Sequence, residues 1–153
     1  MWLMNMQIIV QIFLMILLVI TAVIDIKKRE IPAALIALGA SLATAYVVYS
    51  FVNEAGCAKV VPALLPGAAM LLISLVTRGE VGLGDGLMLL FIGPVFGLEQ
   101  TVAGLLIALF ISSIFSIVVL ALKKGNRKTK LAFIPFLTLG MGAAMLCVNF
   151  QVI

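Results

Sequence analysis

Residues 12–30 read IFLMILLVITAVIDIKKRE, an uncharged apolar run that ends in an aspartate and a cluster of basic residues. A helix in a soluble domain is seldom apolar on every face. A helix that crosses lipid needs such a stretch, since about 20 apolar residues span the hydrocarbon core. This segment therefore predicts a transmembrane helix that carries Asp25 at one end.

The composition extends this interpretation to the whole chain. Of 153 residues, 65% are hydrophobic and 10% are charged, and the mean hydropathy is +1.34. A soluble domain of this length could not cover so much apolar surface with polar groups. We predict a single transmembrane domain over residues 1–153, with the lipid bilayer as its main solvent.

Polar interruptions divide the chain into apolar segments at about 3–24, 32–52, 60–77, 85–99, 101–122 and 131–151. They predict an all-α, polytopic membrane helix bundle with six transmembrane helices. The fourth segment contains Gly93, Pro94 and Gly97, and it must draw on residues 82–100 to cross. A re-entrant fourth segment is the alternative, but it would move the basic run at 123–130 to the opposite face.

The basic residues set the orientation, because Lys and Arg concentrate in cytoplasmic loops. With both termini outside, the inner loops hold Lys27, Lys28, Arg29, Arg78, Lys123, Lys124, Arg127, Lys128 and Lys130, and the outer loops hold Lys59. The first apolar run precedes its positive charges, unlike the h-region of a cleaved signal peptide. We therefore predict a multi-pass protein of the cytoplasmic membrane whose first helix is retained.

Several function classes are disfavoured by what the sequence lacks. The chain contains no His, and Cys57 and Cys147 stand alone, so no metal site, cofactor or nucleophile–His pair is predicted. The basic residues lie in short runs between apolar stretches and form no broad face for a nucleic acid. The acidic residues remain as candidates for chemistry.

Asp25 ends the first predicted span and Asp85 begins the fourth, so counting spans brings both to the inner membrane face. Two neighbouring carboxylates in a low-dielectric site cannot both be ionised, and they share a proton. The ionised partner can take a proton from water while the protonated one polarises a carbonyl. The pattern thus predicts a carboxylate pair suited to hydrolysis.

Each aspartate also has a structural interpretation. Asp25 could pair with Lys28 or Arg29 at the headgroups, and Asp85 could be the N-cap of a helix. Among the other carboxylates, Glu54 and Glu99 fall on the outer face. Glu80 lies near Asp85 in the sequence, and we interpret it as a solvated loop charge.

Glycines surround Asp85 at positions 82, 84 and 86. Glycine weakens a helix, so its use here needs a reason. One reason is that an extended substrate backbone lies against this loop. Gly82, Gly84 and Gly86 therefore favour a functional role for Asp85.

The segment Gly82-Leu83-Gly84-Asp85 is a GxGD motif, and Asp25 is followed by Ile31-Pro32. Residues 89–97 (LLFIGPVFG) and 134–140 (IPFLTLG) are further matches. In this order the segments resemble prepilin peptidases, the membrane aspartic proteases that remove the leaders of type IV pilins.

The resemblance implies that Asp25 and Asp85 are the catalytic pair and face the cytosol. It implies a pilin-like membrane protein as substrate, cut after a short basic leader and before a long hydrophobic helix. The active-site and substrate-binding segments would be Gly82, Gly84, Gly86, Ile31, Pro32 and Pro135. No cofactor is implied.

Two features depart from the family pattern. Leu87 stands where the family usually has Lys, and the paired CxxC motifs of bifunctional members are absent, so a peptidase-only form is expected.

Two other functions stay open. A small proton-coupled transporter or channel could use the same carboxylates, although such proteins usually show inverted repeats and midplane carboxylates. The other is a protein that binds pilin subunits without cutting them.

Overall fold

The computed structural model describes residues 2–28, 31–53, 57–77, 82–122 and 132–150. All regular structure in these ranges is helical, which confirms the predicted all-α class. The helices are α1 (Trp2–Lys28), α2 (Ala33–Asn53), α3 (Cys57–Val76), α4 (Leu83–Phe96), α5 (Leu98–Ala121) and α6 (Ile134–Phe150).

Four of the described helices are long and apolar enough to cross a membrane. These segments are Met6–Lys28, Ala33–Val52, Lys59–Val76 and Leu98–Ala121. Helices α4 and α6 contain shorter apolar segments, Leu83–Phe96 and Ile134–Cys147. Many large apolar side chains of the longer helices are exposed, as expected for surfaces that meet lipid.

The predicted fourth segment at 85–99 is wrong in its bounds. Helix α4 has 14 residues, about 21 Å at 1.5 Å per residue, and ends at Phe96. Gly97 follows with φ of 82°, a backbone conformation that favours glycine, and α5 begins at Leu98. Glu99 therefore belongs to the first turn of α5, and residues 82–100 do not form one helix.

Helix α4 lies at the centre of the bundle and contacts α1, α2, α3 and α5. More than half of it is buried, including Met88, Leu89, Ile92 and Val95. These side chains join Leu14 and Leu18 of α1 and residues of α6 in one apolar core. The short, glycine-rich helix is thus enclosed by protein over most of its length.

Helices α3 and α4 approach so closely that their backbones touch. A Cβ added to Gly67 would collide with the Cα of Leu90, and one added to Gly93 would collide with the carbonyl oxygen of Ala63. Small residues allow such contacts between membrane helices, where apolar attraction alone gives little specificity. Gly93 therefore serves packing within the chain.

Helices α5 and α6 meet through the same kind of contact. A Cβ on Gly140 would collide with the carbonyl oxygen of Gly104 and would lie 2.9 Å from the backbone N of Ala108. Ala108 and Ala144, one turn beyond these glycines on α5 and α6, are also buried. Two glycine-mediated interfaces thus tie α3 to α4 and α5 to α6.

Two prolines occupy different positions in their helices. Pro135 is the second residue of α6, where proline is well tolerated. Pro62 lies inside α3, which begins at Cys57. Residues 132 and 133 are not helical and precede α6, which begins at Ile134.

The α3–α4 interface can be tested with Gly93→Ala. The added methyl group must displace the Ala63 backbone, so we expect a loss of about 1–3 kcal/mol of stability. Gly142→Ala is the matched control, since its Cβ would lie 3.6 Å from the Cε of Met15, an ordinary contact. Thermal unfolding in detergent should show a lower midpoint for Gly93→Ala alone; equal midpoints would contradict the close contact.

Candidate active site

Asp25 lies in the last turn of α1 and is 6% exposed. The backbone N–H of Ile134, the first residue of α6, donates a hydrogen bond to its carboxylate. Within the described ranges, its Oδ2 atom is buried and has no hydrogen-bond partner. The side chain is thus held from one side and keeps one oxygen free.

Asp85 lies in the first turn of α4 and is 8% exposed. The N-cap of α4 is Gly82, and no side chain makes a capping hydrogen bond there. The backbone N–H of Asp85 bonds to the Gly82 carbonyl at 3.1 Å. The interpretation of Asp85 as an N-cap is therefore wrong, and its buried carboxyl needs another explanation.

The two aspartates lie close enough to interact electrostatically. They come from α1 and α4, which are separated by two helices in the chain. Lys28 is exposed, and Arg29 lies outside the described residues. The structure therefore brings together the two carboxylates that the sequence selected.

The glycines around Asp85 have more than one role. A Cβ on Gly84 would lie 2.7 Å from the Cδ1 of Ile31, and one on Gly86 would lie 2.9 Å from the Cδ2 of Leu71. Gly84 and Gly86 thus pack closely against Ile31 and Leu71, and the substrate-based reason for these two glycines stays a prediction. Gly82 differs, because it is exposed and its Cβ would lie 2.8 Å from the Oδ2 of Asp85.

The segment after Asp25 also reaches this site. Ile31 packs against the apolar core as well as against Gly84. The Pro32 carbonyl accepts hydrogen bonds from the N–H groups of Leu35 and Ile36 at 3.0 and 3.4 Å, which starts α2. Ile31 thus joins the start of α4, while Pro32 fixes the turn into α2.

Pro135 follows Ile134 in the first turn of α6, so it adjoins the group that bonds Asp25. Its ring removes no helical hydrogen bond at this position. The role of Ile134 as a hydrogen-bond donor to Asp25 was not predicted from the sequence, because every residue except proline carries a backbone amide hydrogen. Glu80 lies outside the described residues.

A second polar contact joins α1 to α4 at the opposite end of α4. The side-chain amides of Gln7 and Gln11 donate to the carbonyl oxygen of Val95 at 3.3 and 3.2 Å. Gln11 is buried, 6% exposed. Sequence reasoning missed this pair, although two Gln residues four apart in an apolar span are a signal for a polar partner.

A second concave surface in the described part of the chain has a different character. A cavity of about 340 Å³ between α1 and α6 is lined by apolar side chains alone: Ile12, Met15, Ile16, Val19, Ile20 and Met145. Among the described residues, no group of three or more His, Cys, Asp or Glu side chains could hold a metal ion. The aspartate pair is thus the candidate site.

Two carboxylates that share one proton are the arrangement that aspartic proteases use. A profile of the type IV leader peptidase family matches residues 12–121, which include Asp25, Asp85 and the GxGD segment. The chain belongs to this family, whose members are proteases that process type IV prepilin leaders. Searches of curated proteins and of solved structures found no match. Helix α6 lies beyond the matched range.

The hydrogen bond to Asp25 can be tested with Ile134→Pro, which removes the amide hydrogen at a helix start where proline fits. A hydrogen bond to a charged group contributes about 1.5–3 kcal/mol, so we expect leader cleavage to fall about 10- to 100-fold. Ile134→Val trims the same buried side chain but keeps the amide, and it should retain most activity. Equal cleavage rates for the two purified variants would contradict a role for this amide.

Proposed function

We propose that the protein is a membrane aspartic endopeptidase that removes the short basic leader of a type IV pilin-like or Flp-type precursor. Asp25 and Asp85 would be the catalytic residues. The observation that carries this proposal is that two buried carboxylates, one from α1 and one from α4, lie close enough to interact electrostatically. Membership of the leader peptidase family supplies the substrate class.

The reaction requires the pair to hold a single proton between them. The ionised carboxylate takes a proton from water as the water oxygen attacks the scissile carbonyl carbon, and the protonated carboxyl donates its proton to the carbonyl oxygen. The tetrahedral intermediate then collapses, and the leaving amine receives the proton taken from water. The proton that was donated to the carbonyl oxygen returns to the aspartate that gave it, so the pair again holds a single proton.

The surroundings of each carboxylate support this scheme. The Ile134 amide orients Asp25, and the free Oδ2 of Asp25 can accept a proton from water. The lack of a side chain at Gly82 leaves space beside the Oδ2 of Asp85, where a peptide carbonyl could approach. The chemistry needs no metal ion.

The polar contacts support a topology in which α1 and α4 run in opposite directions. Asp25 and Asp85 meet at one end, while Gln11 and Val95 meet at the other. This arrangement agrees with six crossings and both termini outside. Because Lys and Arg concentrate in cytoplasmic loops, the basic residues at the end of α1 favour the cytosolic face of the cytoplasmic membrane for the aspartate end, where the leader would be cut.

A proton-coupled transporter or channel is the alternative function for the same carboxylates. Transporter sites usually lie near the bilayer midplane at the interface of two repeats. Asp25 and Asp85 instead occupy the terminal turns of their helices. Their positions favour a reaction at the membrane surface over passage through the membrane.

The catalytic assignment is tested by Asp25→Asn and Asp85→Asn. Each change keeps the side-chain shape and removes the acid, so cleavage of a co-expressed pilin-like precursor should fall at least about 10²- to 10⁴-fold. Glu80→Gln is the matched control for loss of a nearby carboxylate and should keep most activity. Precursor and product are separated by gel mobility, and a cleavage rate close to that of the unmodified protein in either Asn variant would overturn the assignment.

The orientation is tested by thiol labelling. In a Cys57→Ser/Cys147→Ser background, a single Cys placed at Lys124 should react with a membrane-impermeant maleimide only after the cells are opened. A Cys at Lys59 is the control and should react in intact cells. Labelling of the Lys124 position in intact cells would contradict a cytosolic site.

A further inference from the structure

The contact between α1 and the far end of α4 has no part in the chemistry above. Helix α4 stops at Phe96, so the carbonyl of Val95 lies in the last turn, where no following helical N–H is available. An unpaired carbonyl in an apolar surrounding is costly. Gln7 and Gln11 supply the missing donors from α1.

The geometry of this contact restricts sliding between the two helices. Gln7 and Gln11 are one turn apart on α1, and both reach the same oxygen. A shift of α4 by one helical turn, about 5.4 Å, would take Val95 out of reach of at least one of them. Two donors on one acceptor thus fix the position of α4 along α1.

The other contacts between these helices do not fix that position. Leu14 and Leu18 of α1 and Met88, Leu89 and Ile92 of α4 belong to one apolar cluster. In a bilayer such contacts gain little over contacts with lipid tails, so they resist sliding weakly. Helix α4 packs most closely against α3. Helix α1 contacts α6 more extensively than it contacts α4, so the direct contact between α1 and α4 is small.

The geometry points to Gln11, assisted by Gln7, as a positioning residue: its hydrogen bond to Val95 sets the axial register of α4 against α1 and thereby the separation of Asp25 and Asp85. Gln11 lies 14 positions before Asp25, about 21 Å along the helix. Each aspartate is attached to a helix, and the position of α4 along α1 is set by the contact of Gln7 and Gln11 with Val95, at the end far from the aspartates. This inference rests on the proposed function for its catalytic consequence, while its geometric consequence stands alone.

The geometric test uses the chain with Cys57→Ser, Cys147→Ser, Asp25→Cys and Asp85→Cys in detergent or liposomes. Thiol crosslinkers of increasing span measure the separation of the two positions. Gln7→Met/Gln11→Met removes both donors at similar side-chain length. We expect crosslinking by the shortest effective reagent to fall about tenfold, since loss of the contact allows shifts of an ångström or more.

The control for this test is Ile9→Met, a change to the same residue on the same part of α1. Ile9 is 50% exposed. Crosslinking should be unchanged in this variant. Should the double variant fail to fold, Gln7→Met and Gln11→Met are compared singly, and Gln11→Met should have the larger effect because Gln11 is the buried donor.

The catalytic test measures leader cleavage by the chain with both aspartates intact. Gln7→Met/Gln11→Met should lower kcat about tenfold and leave KM unchanged, because the reacting groups are misplaced and the substrate surface is not altered. A general loss of folding would instead lower the active fraction and the thermal midpoint together. Unchanged crosslinking and unchanged kcat in the folded variant would overturn the inference. Absence of cleavage by the unmodified protein, with crosslinking still dependent on Gln11, would refute the proposed function alone.

Discussion

The structure depends on the requirement that backbone polar groups be satisfied where water is absent. The usual solution is a long, continuous helix that bonds its own backbone groups. Helix α4 departs from it, since it has 14 residues, contains Gly93 and Pro94, and stops at Gly97. It can exist because four other helices surround it. Its end carbonyls find donors in Gln7, Gln11 and the Gly97 amide. A helix with these defects would not be stable facing lipid.

Enclosure of α4 also accounts for the position of Asp85. A carboxyl group in the first turn of a helix that began at the membrane surface would meet water on one side. Asp85 is buried because Gly84 and Gly86 let Ile31 and Leu71 pack around the start of α4. Burial of two acidic groups at one place is unfavourable without a shared proton, and that cost is typical of sites that perform acid–base chemistry.

The sequence was sufficient for the all-α class, because long apolar runs depend on residue type. It also selected Asp25 and Asp85, which the fold brings within electrostatic reach of each other, while their catalytic role stays a prediction. Helix bounds were less accurate where a backbone conformation decided them, as at Gly97, whose positive φ has no unique residue signature beyond glycine itself. The N-cap interpretation of Asp85 was wrong because Gly82 is the N-cap of α4. The contacts of Gly84 with Ile31 and of Gly86 with Leu71 were visible only in the folded structure.

Contacts made by the backbone were the least predictable part of the site. The donor to Asp25 is the amide of Ile134, and the acceptor for Gln11 is the carbonyl of Val95. Every residue carries these groups, so only the folded arrangement reveals which ones matter. Pro135 and the spaced Gln residues were indirect signs that a helix start and a polar partner were needed there.

The single-residue junction at Gly97 has a mechanical consequence. Helix α5 continues directly from α4, is locked to α6 through Gly104 and Gly140, and α6 presents the Ile134 amide to Asp25. Asp85 and Asp25 are therefore also connected through α4, α5 and α6, in addition to the direct contact of α1 with α4 at Val95. A displacement of α5 would shift the end of α4 through Gly97, and it would also shift the Ile134 amide through α6, so the two acids share part of their support.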